Sequence, residues 1–212
     1  MEKYIDLPLK NYLDDLAGPK DAPGGGSACG LAGALAASLG SMVCQFTLGR
    51  KKYAEVEPRI REILTELESL RGALVDLMQR DVDVFHTYMG QAFAMPKDTD
   101  EQKAARKQAI GEACQRAAEP PYEIVKKCVK LMSFFVELGE KGNTQLVSDV
   151  GVAGAMARAA FEGARLNVEI NLNYICDTGF VENVRNELKD LAGEFDLLLS
   201  KVHDVVRKKM SK

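Results

Sequence analysis

Residues 22–49 read APGGGSACGLAGALAASLGSMVCQFTLG, a stretch without one charged side chain. Three glycines follow Pro23, and the serine after them, Ser27, is a favoured residue at the start of a helix. We predict a helix from Ser27 to about Gly49, in which Gly30 and the residues spaced four apart after it form a stripe of small side chains. A glycine loop lets a ligand approach the backbone, and the free N–H groups of the first helical turn then face that ligand. The stretch therefore predicts a closely packed core helix with a binding loop at its start.

Helical spacing extends over the rest of the chain, and no segment alternates apolar and polar residues for the length of a strand. We therefore predict an all-α fold, a single helical-bundle domain over residues 1–212 with long central helices. The other predicted helices run from Pro8 to Gly18, from near Pro58 to before Met95, from a capping box of Asp98 and Glu101 to Pro120-Pro121, from there to a loop at residues 139–143, onward as one or two helices to Cys176, and from about Phe180 to the end.

The composition is that of an ordinary globular domain, with 46% hydrophobic and 28% charged residues and a net charge of −3. This balance argues against a nucleic-acid surface, because phosphate binding needs clustered Lys and Arg and the one basic run is Arg50-Lys51-Lys52. Residues 22–49 are long enough to span a bilayer, but Gly, Ala and Ser dominate them, so we predict no membrane partner.

Five widely spaced cysteines, no CxxC pair and only two histidines make a metal site improbable. We predict buried, reduced thiols in a cytoplasmic protein, and the polar, amphipathic residues 1–15 do not have the pattern of a signal peptide. The sequence contains neither a Ser/His/Asp arrangement nor GxGxxG nor the Walker phosphate loop. Covalent and nucleotide chemistry are therefore unsupported.

Asp81 interrupts an apolar seam of the third predicted helix, where Ile60, Leu67 and Leu74 precede it at seven-residue spacing. A carboxylate in such a seam is costly unless it is hydrogen-bonded or paired, so Asp81 needs a partner or a ligand. A structural carboxylate that caps a neighbouring helix is an equally good interpretation. Asp83 turns about 200° away and is predicted to be solvated.

Asp149 is the second carboxylate on an apolar face, because the charged residues further along its predicted helix project about 160° to 220° away from it. Asn167 and Asn171 fall on the same inward stripe and could form a pair of amide ligands, although buried asparagines are mostly bridges between helices. Along a continuous helix Asp149 and Asn167 lie about 27 Å apart, so one pocket cannot hold both. Either Gly163 breaks the helix, or the positions serve different parts of a long ligand, or a symmetric dimer brings the Asn pair of one chain toward Asp149 of the other.

Taken together, these segments resemble the cyclodeaminase/cyclohydrolase family of folate enzymes over nearly the whole chain. The resemblance implies an all-helical, typically dimeric protein. It rests on the order and spacing of Pro23-Gly24-Gly25-Gly26-Ser27, Met42-Val43 through Lys51-Lys52-Tyr53, Asp81 with Phe85, Met95-Pro96-Lys97, Gly142-Asn143 with Ser148-Asp149, and Asn167-Val168 with Asn171-Leu172.

The resemblance also implies chemistry at a cationic carbon that bridges two folate nitrogens, with no metal and no other cofactor. A carboxylate near that carbon and a group that transfers protons would both serve the reaction. The catalytic candidates are Asp149 first and Asp81 next, with Lys141 or Ser148 assisting. The substrate-binding candidates are the loop residues Gly24, Gly25, Gly26 and Ser27, the basic residues Arg50, Lys51 and Lys52 for a glutamate carboxylate, and Asn143, Asn167 and Asn171 for the pterin edge.

Three functions remain open at this point. The leading hypothesis is a methenyltetrahydrofolate cyclohydrolase, because these 212 residues hold no second domain that would make a formimino substrate. The nearest alternative is a formimidoyltetrahydrofolate cyclodeaminase on the same scaffold. A non-catalytic helical dimer that binds folate or another protein is the alternative from a different class, and it predicts that no substitution of Asp149 changes any activity.

Overall fold

The computed structural model describes residues 3–211, and every regular element in that range is helical, which confirms the all-α prediction. The limits predicted for the domain, residues 1 and 212, lie outside the described residues. The α-helices are α1 (Leu9–Ala17), α2 (Gly25–Thr47), α3 (Glu57–Val84), α4 (Gly90–Ala94), α5 (Asp100–Ala117), α6 (Glu119–Lys141), α7 (Val147–Leu172) and α8 (Thr178–Met210).

Helix α2 lies at the centre of the bundle and packs against α3, α6 and α7. Its glycines allow this, since a Cβ added at Gly30 would lie 2.9 Å from the Met78 Cα, and one at Gly40 would lie 2.8 Å from the Phe135 ring. The predicted small-residue stripe therefore serves close helix packing. By length and composition α2 could cross a membrane, but 61% of its most apolar window is buried inside the molecule.

The main core lies between α2, α3, α6, α7 and α8. Phe161 of α7 stacks on Phe195 of α8 with ring centroids 4.0 Å apart, and both side chains are fully buried. A smaller apolar cluster, which includes Met89, Ile110 and Cys114, joins α5 to the segment that follows α3. This smaller cluster positions the site described below.

Several predicted boundaries are wrong in detail. The capping box at the start of α5 is formed by Thr99 and Gln102, whose side chains each accept a hydrogen bond from the other's backbone N–H, and not by Asp98 and Glu101. Helix α6 continues to Lys141 through the predicted loop. Helix α7 is unbroken at Gly163. The glycine allows close contact with α2, because a Cβ there would lie 2.6 Å from the Cys29 sulfur.

The third predicted helix contains a π-helical segment, Phe85–Met89, between α3 and α4. In an α-helix, residues spaced four apart drift around the axis by about 40° at each step. A π turn holds more residues than an α turn and reduces this drift, so the face that contains Asp81 stays in line through Phe85 and Met89 to Phe93. Tyr88, seven residues after Asp81, does not continue the apolar seam, since its side chain is exposed.

Candidate active site

A cavity of about 360 Å³ lies where the start of α2 meets the end of α3 and the end of α7. Its polar wall is the glycine loop with Asp81, Asn167 and Asn171. The remaining wall is mainly apolar and aromatic and consists of Ala22, Phe85, Met89, Phe93, Cys114, Ala117, Ile170 and Tyr174, with Asp21 at the loop. We call this region the glycine-loop end of the bundle.

The glycines of the loop are required by close contacts. Helix α2 begins at Gly25, two residues before the predicted start, and its cap residue Gly24 has no side chain to bond the free N–H groups. A Cβ added at Gly26 would lie 2.1 Å from Oδ1 of Asp81, and one at Gly25 would lie 3.2 Å from Nδ2 of Asn167. The loop therefore leaves room for two polar side chains that approach the helix start from α3 and α7.

Asp81 places a partly buried carboxylate against the N-terminus of α2. Burial raises the pKa of this carboxyl to about 6, and a hydrogen bond from the Ser27 backbone N–H opposes that rise in part. The positive end of the helix dipole favours the ionised form in the same way. Tyr12 supports the loop from behind, since its hydroxyl donates to Oγ of Ser27 over 3.2 Å. A carboxyl with a pKa near 6 can both accept and return a proton at neutral pH.

Asn167 and Asn171 present amide oxygens to the same cavity. The Nδ2 of Asn167 donates to the Gly163 carbonyl over 2.8 Å, and the Nδ2 of Asn171 donates to the Asn167 carbonyl over 2.7 Å. One N–H of each NH₂ group is thus used within α7, which leaves the other N–H and the side-chain oxygen for a ligand at the cavity wall. A flat ring that carries N–H groups would find its acceptors there and its apolar contacts on the opposite wall.

The other predicted site residues lie at the opposite end of the α2–α7 pair, which we call the Asn143 end. Asp149 is in the first turn of α7, and about 27 Å of helix separates it from Asn167. Ser148 is exposed beside it, and the Lys141 ammonium pairs with Glu137 at 2.8 Å. Arg50, Lys51 and Lys52 follow α2 at this same end, so within one chain they do not reach the cavity at Gly25.

Asn143 is buried, and protein groups already satisfy its amide. Its Nδ2 donates to the Phe46 carbonyl over 3.0 Å, and its Oδ1 accepts from the Gln145 N–H over 3.1 Å and from the Tyr53 hydroxyl over 3.4 Å. Its backbone N–H donates to Oγ1 of Thr47 over 2.9 Å. This side chain therefore joins α2 to the start of α7, and a pterin contact at Asn143 stays a prediction.

The structure thus brings together Gly24, Gly25, Gly26, Asp81, Asn167 and Asn171, with Ser27 bonded behind them. The sequence reasoning missed the apolar wall, most of all Phe93 and Tyr174. The part of this wall on the third predicted helix could have been found from the sequence, because its residues are spaced four apart, namely Asp81, Phe85, Met89 and Phe93. Asp83 is exposed, as predicted, and accepts a hydrogen bond from Gln79. Within residues 3–211 no group of three or more His, Cys, Asp or Glu side chains could hold a metal ion.

The fold and the cavity define an all-α protein in which the partly buried carboxylate of Asp81 faces a mainly apolar and aromatic wall. The chain belongs to the formiminotransferase-cyclodeaminase family, whose model matches residues 8–190. This confirms the family resemblance read from the motifs.

Relatives and a solved structure extend this finding. The chain is 38% identical to methenyltetrahydrofolate cyclohydrolase of Methylorubrum extorquens over 203 residues, which are 96% of this chain and 97% of that protein. It is 30% identical to formimidoyltransferase-cyclodeaminase of Rattus norvegicus over 91% of this chain, but it spans only 36% of that protein. A crystal structure of formiminotetrahydrofolate cyclodeaminase from Thermotoga maritima matches with a TM-score of 0.85 and 30% identity, covering 95% of this chain and 96% of that one.

Proposed function

We propose that this protein is a methenyltetrahydrofolate cyclohydrolase, which hydrolyses 5,10-methenyltetrahydrofolate to 10-formyltetrahydrofolate. The observation that carries the proposal is the Asp81 carboxyl, held in an apolar cavity with a pKa of about 6 and aimed at the start of α2. The similarity to the Methylorubrum extorquens cyclohydrolase over nearly the full length of both chains supports the choice of substrate.

The reaction begins with water adding to the cationic methenyl carbon between the two nitrogens. Ionised Asp81 stabilises that cation and accepts the proton that the attacking water loses. The resulting tetrahedral adduct is neutral. Asp81 then returns its proton to N5 as the carbon–N5 bond breaks, and the adduct hydroxyl loses its own proton to become the formyl oxygen. The balance is one water consumed and one proton released.

This assignment changes the order of the two carboxylates predicted from the sequence. Asp149 came first there, and the cavity favours Asp81, since of these two residues Asp81 lines the cavity within one chain and Asp149 does not. Asn167 and Asn171 are proposed to accept hydrogen bonds from the pterin, and the first-turn N–H groups of α2 to bind its oxygen or the developing negative charge. Asp81 and the first-turn N–H groups of α2 are sufficient for every step of this mechanism, so we propose that no metal and no redox cofactor takes part. We also propose a cytoplasmic location.

A cyclodeaminase is the second candidate, and the Thermotoga maritima structure and the Rattus norvegicus relative favour it. In that reaction the N10 nitrogen attacks a formimino carbon, and ammonia leaves from a similar tetrahedral adduct. Asp81 would accept the N10 proton and donate it to the leaving nitrogen. The same residues can serve both reactions, so substrate turnover has to decide.

The deciding experiment follows the ultraviolet absorbance of methenyltetrahydrofolate with purified protein in a buffer that does not speed hydrolysis. We expect loss of the methenyl band far above the rate without enzyme, and the same rate after dialysis against EDTA. No loss, followed by appearance of that band from formimidoyltetrahydrofolate, would identify the cyclodeaminase instead. No turnover of either substrate would favour the non-catalytic binding protein.

We also propose that the protein is a homodimer that pairs through the exposed faces of α2 and α7. No residue of α2 is charged, and on α7 the exposed apolar residues lie beside the exposed Arg158–Glu162 ion pair. Such an apolar surface suits a self-complementary two-fold interface. Light scattering should give twice the chain mass, and a variant with Leu35→Glu and Leu166→Glu should give the single mass. The larger exposed apolar residues of these faces are Leu35, Phe46, Val152, Met156, Leu166 and Ile170.

A further inference from the structure

The start of α2 has little in its own sequence to hold it in place. Its cap residue Gly24 and its first two residues, Gly25 and Gly26, have no side chains, and glycine gives the backbone the most freedom. This turn nevertheless meets Asp81 closely, since a Cβ at Gly26 would lie 2.1 Å from Oδ1 of Asp81 and the Ser27 N–H donates to that carboxylate. Ser27, the first residue of α2 with a side chain, is fully buried. The contacts of Ser27 therefore help to set where the turn lies relative to Asp81.

Tyr12 of α1 provides such a contact. Its hydroxyl donates to Oγ of Ser27 over 3.2 Å, and among the nine residues of α1, all within the described range 3–211, only Tyr12 is buried. Burial raises the pKa of this hydroxyl, and the Asp81 carboxylate adds to the rise, so Tyr12 keeps its proton and remains a donor at neutral pH. The hydrogen bond of Tyr12 thus acts on Asp81 through the first turn of α2.

The N-terminal segment also fixes Tyr12 to the helix that contains Asp81. The Tyr4 ring meets the Tyr12 ring edge to face with centroids 5.3 Å apart, and the Tyr4 N–H donates to Oε1 of Gln79 over 2.9 Å. Gln79 is buried and lies two residues before Asp81 on α3. Tyr12 therefore connects the start of α2, through Tyr4, to the stretch of α3 that contains Asp81.

We propose that Tyr12 is a positioning residue, whose hydrogen bond to Ser27 holds the first turn of α2 in line with the Asp81 carboxylate. A fixed turn keeps the Ser27 N–H directed at the ionised carboxylate and so favours that form. It also keeps Asp81 at one distance from the substrate carbon, and a displacement of about 1 Å can lower a rate by about 10²-fold. The kinetic part of this inference rests on the proposed function, whereas the effect on the Asp81 carboxyl does not.

The test removes the hydroxyl alone, in Tyr12→Phe. The ring still fills its buried position, but the first turn of α2 loses this hydrogen bond to α1. We expect the Asp81 pKa, measured by carbon-13 NMR, to rise by about 0.5, because a less well directed N–H stabilises the ionised form less. We expect kcat to fall about five- to tenfold with KM within about twofold of wild type, and the kinetic pKa of kcat/KM to rise with the NMR value.

Tyr4→Phe is the matched control, because it removes a hydroxyl of the same segment that donates to Asp15 over 2.8 Å and not to the start of α2. It should leave kcat and the Asp81 pKa at their wild-type values. Ser27→Ala breaks the Tyr12–Ser27 bond from the other side and should reproduce the effects of Tyr12→Phe, which also provides a test if Tyr12→Phe does not fold. The double variant should lose little more than either single variant.

A purely structural role for the Tyr12 hydroxyl predicts a lower melting temperature with kcat and the Asp81 pKa unchanged, and that result would overturn the proposal. Additive losses in the double variant, or an equal rise of the Asp81 pKa in Tyr4→Phe, would overturn it as well. Absence of any turnover of methenyltetrahydrofolate by the wild type would defeat the proposed function, and the NMR comparison of the variants would still test the positioning role.

Discussion

The two ends of the α2–α7 pair both contain polar side chains at helix termini, yet the partners of those side chains differ. At the Asn143 end, Thr47, Tyr53 and Phe46 satisfy the amide and N–H groups of the buried asparagine. At the glycine-loop end, burial raises the Asp81 pKa to about 6, and one backbone N–H opposes it. A polar group with a full set of protein partners holds the fold together, whereas one that lacks them is available for a ligand.

Replacing Asp81 and Asp149 in turn should give the largest difference between the two ends of the α2–α7 pair. We expect Asp81→Asn to lower kcat by about 10² to 10⁴, the usual cost of losing a general acid–base group. Asp149→Asn should keep more than about a tenth of the wild-type kcat, since Asp149 does not line the cavity. Steady-state kinetics on methenyltetrahydrofolate, with circular dichroism to verify folding, measures both.

Equal losses in the two variants would contradict the assignment to Asp81 alone. They would instead support the dimer hypothesis in which Asp149 of one chain reaches the site of the other. Mixing the two inactive variants would then restore part of the activity through mixed dimers, and in the present account mixing restores nothing.

The glycine loop offers the next largest effect. Gly26→Ala places a Cβ where Oδ1 of Asp81 lies, at 2.1 Å, so the carboxylate must move. We expect kcat to fall by about 100-fold, because a displaced general base loses most of its contribution. Gly30→Ala is the matched variant one turn further along α2, where the Cβ would meet Met78. It should lower the melting temperature with a much smaller effect on kcat, and similar kcat losses for both would point to general misfolding.

Asp81→Asn should also change stability, in a direction that depends on pH. The folded-state pKa of Asp81 is raised to about 6, so its contribution to stability is complete below the unfolded pKa and is lost as pH rises through 6. The ionised form costs at most about 3 kcal/mol, and the buried amide offsets part of the gain, which leaves about 1–2 kcal/mol. Thermal melts at pH 8 should show the variant more stable than wild type, with the difference vanishing near pH 4. A variant that is less stable at both pH values would contradict a raised pKa.

The asparagines give the smallest effects and the sharpest contrast between the two ends. Asn167→Ala should raise KM about tenfold and leave the melting temperature nearly unchanged, because it removes an acceptor for substrate. Asn143→Ala should instead lower the free energy of unfolding by about 1–3 kcal/mol, because the groups that bond to the buried amide would lose their hydrogen-bond partner. KM should stay unchanged. The reverse pattern would exchange the roles of the two ends.

Helical spacing was enough to predict the all-α fold and most helix positions, and Asp81 was recognised because it interrupts an apolar seam. The π segment after α3 was not predictable, since nothing in Phe85–Met89 distinguishes it from an α turn, and only that segment aligns Phe93 with Asp81. The distance of Asp149 from the cavity within one chain could not be predicted for another reason, and its catalytic role stays a prediction. Helical periodicity tells which side of a helix a residue faces, but not what lies opposite that residue at its level along the axis.

The most direct test of the account is the titration of Asp81 itself. Carbon-13 NMR of the aspartate carboxyls, with the Asp81 signal identified by its absence from Asp81→Asn, gives the pKa, and kcat/KM against pH gives the kinetic one. We predict that both lie near 6 and that kcat/KM rises to a plateau above that pH. An Asp81 carboxyl that titrates near its ordinary value of about 4, or a pH profile that does not follow it, would contradict the claim that this buried carboxylate transfers the proton.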